Sequence, residues 1–295
     1  MKHVIRVPAT SANLGPGFDS FGCALGIYNT YTIQTADALT VCGCPERYRN
    51  ERNLTVRAYR AVLEEAGAPF RGLTLQIDAR IPVARGLGSS AAMVAGGILA
   101  ANADLGKPYD RRKLLQIGTK LEGHPDNLAP ALFGGLTASM TEDGVPDTVR
   151  YLPAPDLRFV VCVPDFELST AKARKALPET VPLADAVYNL SHGTVLLKAM
   201  ETGDKQVIRR AMRDRLHQPC RVGLIPEYEA VRAAAEEAGA LGFCISGAGP
   251  TLLALTDDEA FASRLEEKLK NRVRHRWTVL SPALDRAGAQ VREEA

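Results

Sequence analysis

The residues Pro82-Val83-Ala84-Arg85-Gly86-Leu87-Gly88-Ser89-Ser90-Ala91-Ala92 have the types and spacing of an anion site. Two glycines let backbone N–H groups approach a ligand with no Cβ in the way. Two serines then open a long apolar run, Met93 to Ala103, in which only Asn102 is polar. A helix starting there leaves its first N–H groups without intrahelical partners, and its macrodipole favours negative charge at that end. Phosphate is the expected guest. The other reading is an ordinary helix start capped by serine. On this stretch a nucleotide phosphate ranks ahead of that reading.

Two better-known glycine motifs do not fit. Gly86-x-Gly88-x-x-Ala91 matches the letters of the dinucleotide fingerprint, which needs a second strand ending in an acid about 20 residues on. Here the helix runs through Asp104 and Gly106 into another helical stretch, Asp110 to Glu122. Walker A needs a Gly-Lys-Ser/Thr, and no lysine lies near. A second cluster follows at Glu122-Gly123-His124-Pro125-Asp126-Asn127. His124 alone fits a loop histidine as well as a catalyst. Glu122 with Asp126 suggests a Mg²⁺ site, since a hard cation takes oxygen ligands. A third lies at Pro8 to Asp19, dense in glycine, proline and small polar residues. It reads as a loop that could present Asn13 and Asp19 to a small polar ligand.

The elements that must position these groups are legible as periods. His3 to Val7 reads as a strand ended by Pro8, and Tyr28 to Thr35 and Leu39 to Cys42 as strands. Asn53 caps a helix through Ala66 with Val56, Tyr59, Val62 and Leu63 on one face. Leu73 to Ile81 is a strand feeding the glycine loop, and Leu136 to Met140 a strand after Gly134-Gly135. Glycine, proline and acidic residues between Thr141 and Asp156 mark a boundary, giving units 1–152 and 153–295. The second unit reads as strand Arg158–Val163, helices over 170–177, 183–201, 205–216 and 227–238, strands Phe243–Ser246 and Thr251–Leu255, helix 259–271 and strand Arg274–Leu280. That is a β-α-β-β-α-β split unit with extra helices in its first crossover. The fold class is α+β.

Composition narrows the function. The 295 residues are 46% apolar and 24% charged with net charge +2, so bulk charge points to no nucleic-acid or membrane partner. Arg209 to Arg215 alternates with apolar residues, as a solvated helix face does. None of the six cysteines, Cys23, Cys42, Cys44, Cys162, Cys220 and Cys244, forms a C-x-x-C. Buried thiols in a reducing cytoplasm account for them. Met1-Lys2-His3-Val4-Ile5 begins a strand rather than a signal peptide, and no apolar run is long enough to span a bilayer.

Pro8 to Leu25, Pro82 to Ala92 and Ser246 to Thr251, in this order and spacing, resemble the three motifs of the GHMP kinase superfamily. Within it, Pro8 to Asp19, Glu122 to Ala131 and Leu168-Ser169-Thr170-Ala171-Lys172-Ala173-Arg174 closely resemble the homoserine kinase family. The resemblance implies a ribosomal S5 domain 2-like N-terminal domain and a C-terminal ferredoxin-like domain, with ATP and L-homoserine meeting between them. It also implies Mg²⁺, a homodimer and a step of threonine biosynthesis. By the same resemblance Gly86 to Ser90 wrap the ATP phosphates, and Ser90 and Glu122 hold Mg²⁺. Asn127 stands where mevalonate-type relatives carry an aspartate base, with the choice between Asp126 and Asn127 uncertain by one residue. Arg174, and Arg221 in His217-Gln218-Pro219-Cys220-Arg221, suit the substrate carboxylate, because a guanidinium fork bonds both oxygens. Asp19 would pair with the ammonium and Asn13 with the substrate's polar groups. The alternatives are a mevalonate-pathway type kinase and a catalytically inactive nucleotide-binding relative.

Overall fold

Two periods of apolar burial sort the chain into sheets and helices. Leu73, Leu75 and Ile77 are buried and alternate with exposed residues, as one face of a strand requires. Val56, Tyr59, Val62 and Leu63 are buried on one side of a helix, whose Asn53 accepts a hydrogen bond from Thr55 N at 3.0 Å as its N-cap.

The computed structural model describes residues 2–294. Its first half contains β1 (Lys2–Ala12), β2 (Phe21–Thr35), β3 (Leu39–Cys42), α1 (Leu54–Glu65), β4 (Leu73–Asp78), α2 (Ser89–Asp104), α3 (Arg111–Glu122), α4 (Leu128–Phe133), β5 (Leu136–Glu142) and β6 (Val145–Tyr151). Its second half contains β7 (Arg158–Pro164), α5 (Thr170–Lys175), α6 (Leu183–Thr202), α7 (Lys205–Ala211), α8 (Gln218–Arg221), α9 (Tyr228–Ala238), β8 (Gly242–Ile245), β9 (Leu252–Thr256), α10 (Phe261–Leu269), β10 (Trp277–Leu280) and β11 (Gln290–Glu294).

The first sheet runs β11-β1-β2-β4-β3, with β5 attached to β2 and β6 to β5. Helix α2 is buried along nearly its whole length, which explains its run of alanine, glycine and aliphatic residues. The second sheet runs β10-β7-β9-β8 with every neighbouring pair antiparallel. Counted within the unit, that is fourth-first-third-second, the order a split β-α-β-β-α-β unit gives.

The structure moves several expected boundaries. Pro8 does not end β1; the strand continues to Ala12, and the register against β2 shifts between Pro8 and Ala9. A bulge is where a ladder tolerates a proline, which has no N–H to donate. The loop therefore begins only at Asn13. Strand β4 stops at Asp78, because Asn29 Oδ1 takes the N–H groups of Arg80 and Ile81, each at 2.8 Å. The stretch 205–216 breaks after Ala211, where the Asp214 carboxylate accepts from the backbone N–H groups of Leu216, His217 and Gln218. Helix α4 and strand β6 carry no sequence signal strong enough to separate them from a loop and a boundary. Of the cysteines only Cys23, Cys162 and Cys244 are buried; Cys42 is exposed, and all six are free thiols. Burial pushes the Cys162 and Cys244 thiols up to about 12.

The chain's last strand crosses back: β11 pairs with β1, from Lys2↔Glu294 to Arg6↔Gln290. Residues 290–294 of the expected second unit thus lie on the first sheet. Arg111 fastens this return. Its guanidinium donates to Leu132 O, to Ala287 O at 3.4 Å and to Ala289 O at 2.8 Å. Asp285 fixes the preceding turn by accepting from Gly288 N at 2.6 Å and Tyr28 Oη at 2.8 Å. Arg111→Ala is expected to destabilise the fold by roughly 2–3 kcal/mol, the scale of one charge-assisted hydrogen bond. Equilibrium urea unfolding checks it; an unchanged midpoint would mean the tail docks without this residue.

Candidate active site

Three chain segments that the sequence holds far apart converge on the start of α2. The first is the glycine loop itself. Gly88 is the N-cap of α2 at φ 67°, and no side chain caps the helix. The serine-capped reading is therefore wrong: Ser89 is the first helical residue, and its hydroxyl is buried with no protein partner. The first-turn N–H groups and their dipole are left for a ligand. A Cβ on Gly88 would fall 1.8 Å from Thr10 Oγ1, and one on Gly86, at φ +74°, 2.4 Å from Ser246 O. Only glycine allows both contacts.

The rest of the loop serves the protein. Leu87, Ala91 and Ala92 are fully buried. Arg85 is turned to the second sheet, donating to Pro164 O and Asp165 O at 3.0 Å each and lying 3.3 Å from Glu167. Pro82, Val83 and Ala84 lead into the loop, and Ala84 O accepts from Leu168 N at 3.3 Å. The exposed Ser90 hydroxyl donates to Glu122 Oε1 at 2.5 Å. Burial raises the Glu122 pKa, while the Ser90 hydrogen bond and His124 oppose the rise and Asp126 adds to it. A hydroxyl and a carboxylate in contact are hard oxygen donors of the kind Mg²⁺ takes.

The second segment follows α3. His124 Nδ1 lies 2.5 Å from Asp126 Oδ1, and this bond is the main reason the His124 pKa is raised. Asp126 Oδ1 also accepts from Asn127 Nδ2 at 3.3 Å, and Asn127 Oδ1 accepts from Thr10 Oγ1 at 2.8 Å. Asn127 thus stands beside Thr10 and the glycine loop, with Asp126 next to it. His124 is held by Asp126 in its charged form to higher pH than an ordinary histidine.

The third segment brings opposite charges together from both sheets. Arg174 on α5 donates two parallel hydrogen bonds to Asp19, each 2.9 Å. Arg221 is 2% exposed, and among the described residues no carboxylate forms a salt bridge with it. Its partners are Ala173 O, Gly247 O and His217 Nδ1, each at 3.3 Å. Burial lowers its pKa. Burial also lowers the His217 pKa. Neutral His217 donates from Nε2 to Gly15 O at 2.9 Å, which leaves Nδ1 as the acceptor for Arg221. Phe18 stacks on His217, with centroids 5.3 Å apart. Asp19 acts on the charges of His124 and Arg221, and Asp126 on that of Arg174, so this cluster adjoins the second.

Every expected site residue lies in this region, but three are engaged differently from the sequence reading. Asp19 and Arg174 pair with each other. Asn13 spends its amide inside the protein, donating to Gly247 O at 2.7 Å and accepting from Asp19 N at 2.9 Å. Sequence reasoning gave no role to Thr10, His217 or Ser246. The only signal was their place inside quoted motifs, because a side chain that holds another side chain has no spacing rule of its own.

The chain resembles known proteins along nearly its whole length. The model of the GHMP kinases N terminal domain matches residues 53–135, and that of the GHMP kinases C terminal region matches 196–275. Homoserine kinase of Gloeobacter violaceus is 44% identical over 304 residues, 99% of this chain and 99% of that protein. Homoserine kinase of Clostridium beijerinckii is 40% identical over 293 residues, 98% of each. The crystal structure of homoserine kinase from Cytophaga hutchinsonii superposes with a TM-score of 0.89 at 28% identity, covering 98% of this chain and 97% of that one. With full-length relatives at this identity and one fold shared throughout, the chain belongs to the homoserine kinase family of the GHMP kinases.

Proposed function

We propose that this chain transfers the γ-phosphate of ATP to the hydroxyl of L-homoserine, giving O-phospho-L-homoserine for threonine biosynthesis. The supporting observation is the convergence of an uncapped helix start, a Ser90–Glu122 oxygen pair and an Asp19–Arg174–Arg221 charge cluster. In this reading residues 1–152 form the ATP-binding unit and 153–295 the second unit, with the tail returning to the first. The enzyme is taken to be cytoplasmic and homodimeric. ADP release coupled to homoserine tests the activity, and mevalonate in the same assay separates it from mevalonate-type kinases.

The backbone from Gly86 to Ser90 receives the phosphates. Ser90 and Glu122 would hold Mg²⁺, which neutralises phosphate charge when bound. Phosphoryl transfer passes through a loose transition state, so positioning and charge stabilisation supply most of the rate. Asn127 positions the substrate hydroxyl. No side chain is an essential base, since His124 donates to Asp126 and stays protonated to higher pH than an ordinary histidine. As the homoserine oxygen bonds to the γ-phosphorus, the bond to the β–γ bridging oxygen breaks with its electron pair left on ADP. The hydroxyl proton passes to a γ-phosphoryl oxygen.

Arg221 takes the homoserine carboxylate at the end of a buried hydrogen-bond network. Arg174 and Asp19 exchange their mutual pair for the substrate's carboxylate and ammonium. That exchange is feasible because the side chains are 45% and 35% exposed, where an ion pair contributes only ~0–1 kcal/mol. Asn13 acts by holding the loop that carries Asp19.

Glu122→Gln separates function from stability. Burial raises the folded-state pKa above the unfolded value, so the folded protein favours protonated Glu122, and its ionisation costs stability as pH rises through that pKa. The glutamine removes the charge and keeps an acceptor for Ser90. Turnover is expected to fall about a hundredfold or more, since metal-ion catalysis supplies several kcal/mol, while Tm at pH 7 does not fall. Wild-type kcat/KM should decline as pH drops through the raised pKa. Undiminished turnover of the variant across a Mg²⁺ titration would reject the assignment.

Arg174→Ala and Arg221→Ala should each raise the homoserine KM by about tenfold or more, since a charged hydrogen bond contributes roughly 1.5–3 kcal/mol. The ATP KM should move little. A lysine at either place should recover only part of the loss, because it lacks the fork. If the ATP value rises and the homoserine value stays, these arginines serve the nucleotide.

A further inference from the structure

Thr10 lies at the end of β1, fully buried, with no part in the chemistry described so far. Its hydroxyl donates to Asn127 Oδ1 at 2.8 Å, and its backbone N–H donates to Leu87 O at 3.1 Å. One residue therefore joins the glycine loop to the amide beside it. The glycine loop closes directly over the contact, since a Cβ on Gly88 would lie 1.8 Å from Thr10 Oγ1 and 3.1 Å from Asn127 Oδ1.

The surroundings admit one orientation of the Asn127 amide. On one side stands Asp126, whose Oδ1 is held by His124 Nδ1 at 2.5 Å and is 3.3 Å from Asn127 Nδ2. A carboxylate only accepts. Turning the amide over would set Asn127 Oδ1 against the Asp126 oxygen, so the NH₂ faces Asp126 and the carbonyl faces the Thr10 hydroxyl. One of the two amide hydrogens goes to Asp126, and the other is left for a ligand.

Resting on the acceptor site assigned above, we propose that Thr10 is a positioning residue that anchors the Asn127 amide in the orientation Asp126 selects, with an N–H, not its carbonyl oxygen, toward the alcohol of the substrate. Asn127 then donates to the alcohol oxygen and cannot receive its proton. Thr10 also fixes how far that alcohol stands from the phosphate loop, because both are tied to the same strand end.

Thr10→Val and Thr10→Ser test the lock. Valine keeps the shape and loses the donor; serine keeps the donor. In Thr10→Val, kcat is expected to fall about tenfold, the effect of one lost buried hydrogen bond on alignment. Both KM values should stay within about twofold, and serine should restore most of kcat. The Asn127 side-chain amide pair in a ¹H–¹⁵N spectrum supplies a readout independent of turnover: it should shift in the valine variant and keep its wild-type position in the serine one. Wild-type kcat in Thr10→Val, equal losses in both variants, or unmoved amide resonances would each overturn the proposal. Failure of the homoserine reading would appear instead in the wild-type rate, with the amide resonances still deciding the lock.

Discussion

The site depends on a seam of hydrogen bonds that ties the turn at Ser246 to Thr251 to the glycine loop and to the end of β1. Gly247 N donates to Ala12 O at 3.0 Å, and Thr251 N donates to Arg85 O at 3.2 Å. Ser246 Oγ donates to Gly86 O at 2.6 Å and stands 2.8 Å from Ser11 Oγ, which donates to it. Every donor in the seam comes from a loop or a strand end, and every bond joins the first half of the chain to the second. Such an interface leaves no room for a side chain at position 86, and it sets the two sheets at a fixed distance. Asp19 and Arg174 come from opposite sides of this seam, as do Asn13 and Gly247, so the charge cluster exists only because the seam is closed.

What the sequence disclosed and what it hid divide along physical lines. The Asn53 cap, the α1 face, the glycine loop and the succession of strands and helices along the second unit follow from local chemistry and from period, which one chain displays; the order of strands across its sheet does not. The open start of α2 depends on backbone and helix end at neighbouring positions, so it is local in the sequence. The partnership of Asp19 with Arg174 was not legible, because each carries a charge that pairs with a ligand or a neighbour equally well at 155 positions' separation. The run through Pro8 was misread because proline's lost N–H matters only where the ladder needs it, and the bulge removes the need. The return of β11 leaves no trace in local pattern: a five-residue edge strand with mostly exposed side chains looks like any polar tail.

Several groups in the site carry a folding cost that a bound ion or polar group would relieve. Glu122 is disfavoured as an anion by burial and by its place at the end of α3, where the helix dipole is negative. Arg221 is disfavoured as a cation by burial, and its partners are two carbonyls and an imidazole rather than a carboxylate. Ser89 has a buried hydroxyl with no partner. These liabilities have opposite signs at opposite ends of the site. A cation relieves the first and an anion the second, so strain and specificity have the same origin.

The hydrogen-bond chain through Thr10, Asn127, Asp126 and His124 gives the arrangement its direction. Each member is a partner of the next: a hydroxyl donor, an amide with two unlike ends, an acceptor-only carboxylate and an imidazole whose charged form it favours. Reversing any one would leave a buried acceptor facing another, which costs about 1–3 kcal/mol for each unsatisfied group. The chain is therefore rigid in sense as well as in position. In the reaction proposed above, whose transition state gains little from a base, such rigidity would hold the acceptor oxygen near the phosphorus with no reorganisation left to perform.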